Sequence, residues 1–332
     1  MNRTQPKHRV KLFENDGTDE IYMHIKIGTE KWHEPAQQYW QAQYEQYQRY
    51  LDSKFVKEIG MDFLSQIWEL TLASYIDQQL GNESGLVNHK IKDVSCPDFC
   101  FEIDGQKFYL EATTPKTGNC EDLNVTFEEI RGIARKTPVA SYKERLCSAI
   151  REKGENAYYG NDKKSGYKDH MEENDGFIVA ISMAKIPFFN QPIDYQVDLS
   201  CIFGLSSRKV PVIRDQTGQQ YMGAIYYDQE LSFPKQASGK PIDTYYFVDD
   251  KYSHISAILI SHSGWVFFPD ADKYGTPLRW EECRNDYILV HNPFAKTPLP
   301  TGYFSVYREI TPSDVNDFLN PTCEANLEQE LV

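Results

Sequence analysis

The sequence predicts an α/β fold, a mixed central sheet flanked by helices, and three observations carry that expectation. An apolar-periodic helix pattern stops at Gly81, an Asp104-Gly105 dipeptide joins two strand patterns, and a second helix pattern leads to the wholly apolar run "GFIVAIS" at 176–182. Strands that are apolar on both faces need helices on both sides to stay dry.

In chain order, residues 1–30 show no clear period and read as an extension. Over 34–55, Trp40, Tyr44, Tyr47 and Leu51 recur at helical spacing, and this aromatic stripe is expected to pack on the body of the protein rather than stack on bases. The stretch "KFVKEIGMDFLSQIWELTLASYIDQQLG" reads as one strong helix with Phe63, Ile67, Leu70 and Ser74 on one face and Glu69 in its middle. "LVNHKIKDV" is a short strand candidate, and "FCFEI" and "KFYLEAT" form a hairpin through Asp104-Gly105, the strongest short hairpin signal a sequence offers. "ASYKERLCSAIREKGENAYY" is the second helix, with Leu146, Ile150 and Ala157 toward a core. Later strands are expected in "HISAILISHSGWVFFP" and "DYILVHNP", after a weakly periodic insertion over roughly 187–250. The expected organisation is an N-terminal extension with its amphipathic helix (1–54), a core (55–186), and an insertion with C-terminal strands packed on that core (187–332).

Composition narrows the function classes. At 332 residues, 40% hydrophobic and 25% charged, the chain can bury a sizeable core, and no run of about 18 apolar residues exists to span a bilayer. The start has positive charge but no apolar run, so no secretory leader is expected and the chain is placed in the cytoplasm, away from membranes. The seven cysteines (96, 100, 120, 147, 201, 283 and 323) show no CxxC and no zinc spacing, which fits reduced thiols. A formal net charge of -14 argues against nonspecific coating of nucleic acid, yet residues 131–168 hold ten Lys/Arg against four acids, a local +6. Dispersed histidines and the absence of GxGxxG, GxxxxGK[ST] and GxSxG leave nucleotide-loop and hydrolase-elbow readings without support.

The hairpin raises a question of charge. If Asp104-Gly105 is a two-residue loop, Ile103 pairs with Gln106 and the same register sets Asp98 opposite Glu111. Like charges facing each other in a buried sheet are destabilising, so one carboxyl must be protonated or a cation must sit between them. Both groups are hard oxygen ligands of the kind that binds Mg²⁺ or Mn²⁺. Glu111 and Thr113 share one face of their strand, while Leu110 and Ala112 point to the other.

A helix with a central Glu, "PDF", a Gly turn, a strand ending in "EAT" and a basic helix together resemble the PD-(D/E)xK nuclease-like superfamily of restriction-endonuclease-like folds. The likeness is greatest to bacterial members written "PDF…EAT" and covers about residues 55–185. It implies a restriction-endonuclease-like core with an N-terminal helical extension and C-terminal elaborations. It also implies Asp98 and Glu111 as catalytic metal ligands for Mg²⁺ or Mn²⁺, and Glu69 as a third carboxylate. The implied activity is metal-dependent phosphodiester hydrolysis of DNA, in defence or mobile-element biology, with nucleic acid as partner and a homodimer as an option. Thr113 departs from the pattern, because the family usually has Lys there. Lys153, on the neighbouring helix, is the expected replacement, with Lys116 and Lys90 as alternatives. Arg145 lies eight residues earlier and Ser148 five, and these two with Lys163 and Lys164 are the expected nucleic-acid contacts. If no lysine is supplied, the alternative is a catalytically inactive module that binds nucleic acid or protein.

Overall fold

A computed structural model describes residues 10–29, 31, 33–81, 85–88, 96–123, 138–161, 164–186, 195–206, 209–223, 228–262 and 287–319. It opens with helices α1 (Glu20–Ile27), α2 (His33–Tyr47), α3 (Phe55–Glu58) and α4 (Phe63–Leu80). Strands β1 (Val87–Asn88), β2 (Phe99–Ile103) and β3 (Gln106–Thr113) follow. Helix α5 (Val139–Arg151) runs on into a π-helical stretch, Glu152–Ala157, before the short β4 (Gly160–Asn161) and β5 (Lys164–Ser165) and then β6 (Gly176–Ser182). Next come α6 (Tyr195–Phe203) and the strands β7 (Val212–Arg214), β8 (Gln220–Met222), β9 (Ser232–Pro234) and β10 (Pro241–Asp243). The described chain closes with β11 (Ala257–Ser261), β12 (Ile288–His291), β13 (Arg308–Ile310) and α7 (Pro312–Leu319).

The helix expected over 54–81 is two helices, and the break has a local cause. The Gly60 carbonyl accepts from the backbone N–H groups of Thr18 and Asp19 at 2.8 and 3.0 Å. A Cβ built on Gly60 would come within 2.8 Å of the Asp16 carbonyl oxygen, so only glycine lets the N-terminal segment approach this closely. Asp62 then caps α4 by accepting from the Ser65 N–H, and Gly81, at φ 69°, ends it.

The central sheet has seven strands in the order β1-β2-β3-β6-β11-β12-β13. β1, β2 and β3 form an antiparallel meander, β3, β6 and β11 run parallel, β12 is antiparallel to β11, and β13 is parallel to β12. The hairpin register is the one its turn dictates: Ile103 pairs with Gln106 and Phe99 with Leu110. Asp104 and Gly105 both take positive φ, 52° and 78°, as a type I′ turn demands. The third segment does more than pack on the core, because β11 and β12 continue its sheet and α6 is buried in it.

Each sheet face has its own core. Phe108 and Leu110 of β3 pack with Ile67, Leu70 and Ala73 of α4 and with the N-terminal aromatics Trp40, Tyr44 and Tyr47, so the aromatic stripe of α2 is core. Tyr109, Val179 and Ile181 pack with Tyr142, Leu146 and Ile150 of α5 and with α6. No described helix is long and apolar enough to cross a membrane.

Candidate functional site

Strand alternation turns Glu111 toward the α5 side of the sheet, the side of Tyr109. Asp98 and Glu111 are the next positions of the register after the Phe99–Leu110 pair. Asp98 has left the ladder, and its Oδ2 instead accepts from the Ala112 N–H at 2.7 Å. The two carboxylates are 6% and 4% exposed. Burial, and after it the Asp98 charge, pushes the Glu111 carboxyl up to about 7, against the opposing pull of Lys153 and a hydrogen bond from the Tyr167 phenol.

A cation does answer Glu111, and it belongs to the chain. Lys153 Nζ lies 2.5 Å from Glu111 Oε1, with 26% of its side chain exposed. Burial works to lower its pKa, but Glu111 and then Asp98 outweigh that and raise it, so the ammonium stays charged. Lys153 stands in the π-helical stretch that follows α5. A π turn inserts an extra residue into the helix, a feature frequent at functional sites.

The other expected residues fall differently. Thr113, the last residue of β3, is partly buried on the Glu111 side. Glu69 is partly buried on α4, which covers the opposite face of the sheet. Among the described residues no three His, Cys, Asp or Glu side chains group as a metal site. Lys116 is mostly exposed and lies 3.9 Å from Asp62, which Lys185 also meets at 2.5 Å, both at the start of α4. Arg145 and Ser148 are partly buried on α5. Lys90, Lys163 and the side chain of Lys164 lie outside the described residues, as do Arg131, Arg135 and Lys136 of the basic stretch.

Tyr167 is the site residue that sequence reasoning missed. It is buried in a short 3₁₀ turn, Tyr167–His170, and burial, then the Glu111 charge and a hydrogen bond to it, drive the phenol pKa far up. Nothing local in "SGYKDH" signals this, since the contact joins positions far apart in the chain. A second polar cluster also went unread: Tyr142 Oη donates to Asp198 Oδ1 at 2.5 Å, and His262 Nε2 lies 2.8 Å from Asp198 Oδ2.

Asp98 and Glu111 offer two carboxylate donors, hard oxygen ligands of the type that binds divalent cations. Mg²⁺ is usually held by one or two carboxylates, with waters and substrate phosphate filling the other positions. Set against family models, curated proteins and solved structures, the chain matches none.

Proposed function

We propose that Asp98, Glu111 and Lys153 form a Mg²⁺- or Mn²⁺-dependent site that hydrolyses phosphodiester bonds in nucleic acid, DNA in particular. The observation that carries the reading is the position of Lys153, whose ammonium reaches Glu111 on the strand where Thr113 leaves the expected lysine missing. The succession of α4, the β2–β3 hairpin, α5 and the parallel β6 also supports the resemblance seen in the sequence.

Asp98 and Glu111 would hold the ion, which supplies Lewis-acid polarisation and an activated water when bound. The chain's own residues do the rest. Ala112 N–H fixes the Asp98 carboxylate, and Tyr167 fixes that of Glu111. Lys153 places a positive charge beside the reacting phosphoryl group, where negative charge grows in the transition state; removing one such donor typically costs about 3 to 4 kcal/mol.

A second reading is a non-catalytic nucleic-acid or protein-binding module. It is favoured by the ion pair itself, because Lys153 already answers the buried Glu111 charge within the chain. Single-turnover incubation of plasmid, short duplex, single-stranded and branched DNA with Mn²⁺ separates the two. Strand cleavage is the expected outcome, whereas metal binding without cleavage of any substrate would establish the binding module.

A further inference from the structure

The cations of α5 and its π-helical continuation divide sharply. Lys143 pairs with Glu230 at 2.9 Å, Arg151 with Glu155 at 3.6 Å and Lys153 with Glu111 at 2.5 Å. Arg145 has no carboxylate partner among the described residues, and its Nε is buried without a hydrogen-bond acceptor. A guanidinium keeps its charge at physiological pH, so the orphaned Nε carries a desolvation cost that an anion bound at this partly buried group would offset.

Its surroundings are built around it. Gly118, five residues past the end of β3, takes φ 64°, and a Cβ there would lie 2.8 Å from Arg145 Nη1. Glycine suits both the left-handed backbone and the close approach of the guanidinium. The nearby carboxylates are engaged elsewhere: both Asp122 oxygens accept from Ser141 Oγ, and Glu144 Oε2 accepts from the Gln236 N–H. Thr114, at the start of the same loop, is 9% exposed and its hydroxyl is also buried without a partner. At the helical rise, Arg145 lies about 12 Å along the axis from Lys153, far enough to meet a different phosphate of one strand.

We propose that Arg145, seated on Gly118, is a phosphate subsite that binds a non-scissile phosphodiester group of a nucleic-acid strand whose reacting phosphate lies at Lys153. This rests on the nucleic-acid reading above. A guanidinium suits the task because its planar fork meets two phosphate oxygens at once.

The test is fluorescence anisotropy of a short fluorescein-labelled DNA duplex, with EDTA present so that nothing is cut, across a KCl titration for the parent, Arg145→Gln and Arg145→Lys. Arg145→Gln is expected to weaken binding about 10- to 100-fold and to make the log–log salt slope shallower by about 0.9. Arg145→Lys should keep the slope and recover only part of the affinity. Thermal melts check that each variant is folded; if Arg145→Gln is not, a folded Arg145→Lys with reduced affinity supports the subsite and one with parental affinity overturns it. Parental affinity and slope in Arg145→Gln, or no duplex binding by the parent even at low salt, would also overturn it. Binding that depends on Arg145 in a protein that does not cleave would sink the hydrolase and leave the subsite standing.

Discussion

Helix α5 carries two buried polar clusters, and they are built to opposite rules. Near its start, Tyr142, Asp198 and His262 are at most 1% exposed, and Asp198 receives one hydrogen bond on each oxygen, at 2.5 and 2.8 Å. Just past its end, Lys153 keeps 26% of its side chain in contact with solvent and pairs with Glu111, whose carboxyl the Asp98 charge opposes. The first cluster is closed to solvent and both Asp198 oxygens have hydrogen-bond partners, which is how a fold keeps a buried polar side chain for structure. The second stays frustrated, with one carboxyl pushed to about 7 and a reachable cation beside it. A perturbed carboxyl beside a solvent-reachable cation is the combination that functional sites favour.

Substitutions should therefore act on different observables at the two ends. Asp198→Ala removes the acceptor shared by Tyr142 and His262, and in denaturant unfolding it should cost about 3 to 5 kcal/mol of stability. A loss under about 1 kcal/mol would show that the sealed cluster is not structural in this sense. Lys153→Ala should reduce single-turnover cleavage about 100- to 1000-fold while the Mn²⁺ response of the melt persists. Full activity in that variant would remove Lys153 from the chemistry and turn attention to Lys116 or Lys90. The smallest effect belongs to Tyr167→Phe, which gives up one buried hydrogen bond worth about 1 kcal/mol. The same change removes a group that holds the Glu111 pKa down, so the carboxyl titration followed by NMR should move up from about 7. A titration that stays put would detach Tyr167 from the site.

How much of this was legible in the sequence depends on how local each cause is. The β2–β3 register followed from Asp104-Gly105 alone, because a two-residue turn with two positive φ angles fixes every pair behind it. Lys153 was legible as a helix residue near the strand, though not the π turn in which it stands. The break before α4 had a readable signal, Gly60 followed by Asp62 as cap, that the continuous apolar pattern outweighed. Glu69 sat plausibly in mid-helix, but local periodicity does not say which face of the sheet the helix will cover. Tyr167 and the insertion of β11 beside β6 are long-range outcomes of the chain's crossovers, which no local pattern encodes.

The claim that Asp98 and Glu111 form a cation site is tested most directly by thermal melts with and without Mn²⁺, on the parent and on Asp98→Asn. The folded-state pKa of Glu111 is raised from 4.5 to about 7, so its proton adds stability that is full below pH 4.5 and is lost as pH rises through about 7. Mn²⁺ must displace that proton, so its stabilising effect should grow up to about pH 7 and level off above. At pH 8, with Mn²⁺ about a hundredfold above its dissociation constant, the parent should gain about 2.7 kcal/mol. Asp98→Asn can still accept from Ala112 N–H, so it should fold and lose that gain. A parent melt unmoved by saturating Mn²⁺, or an equal shift in Asp98→Asn, would contradict the account.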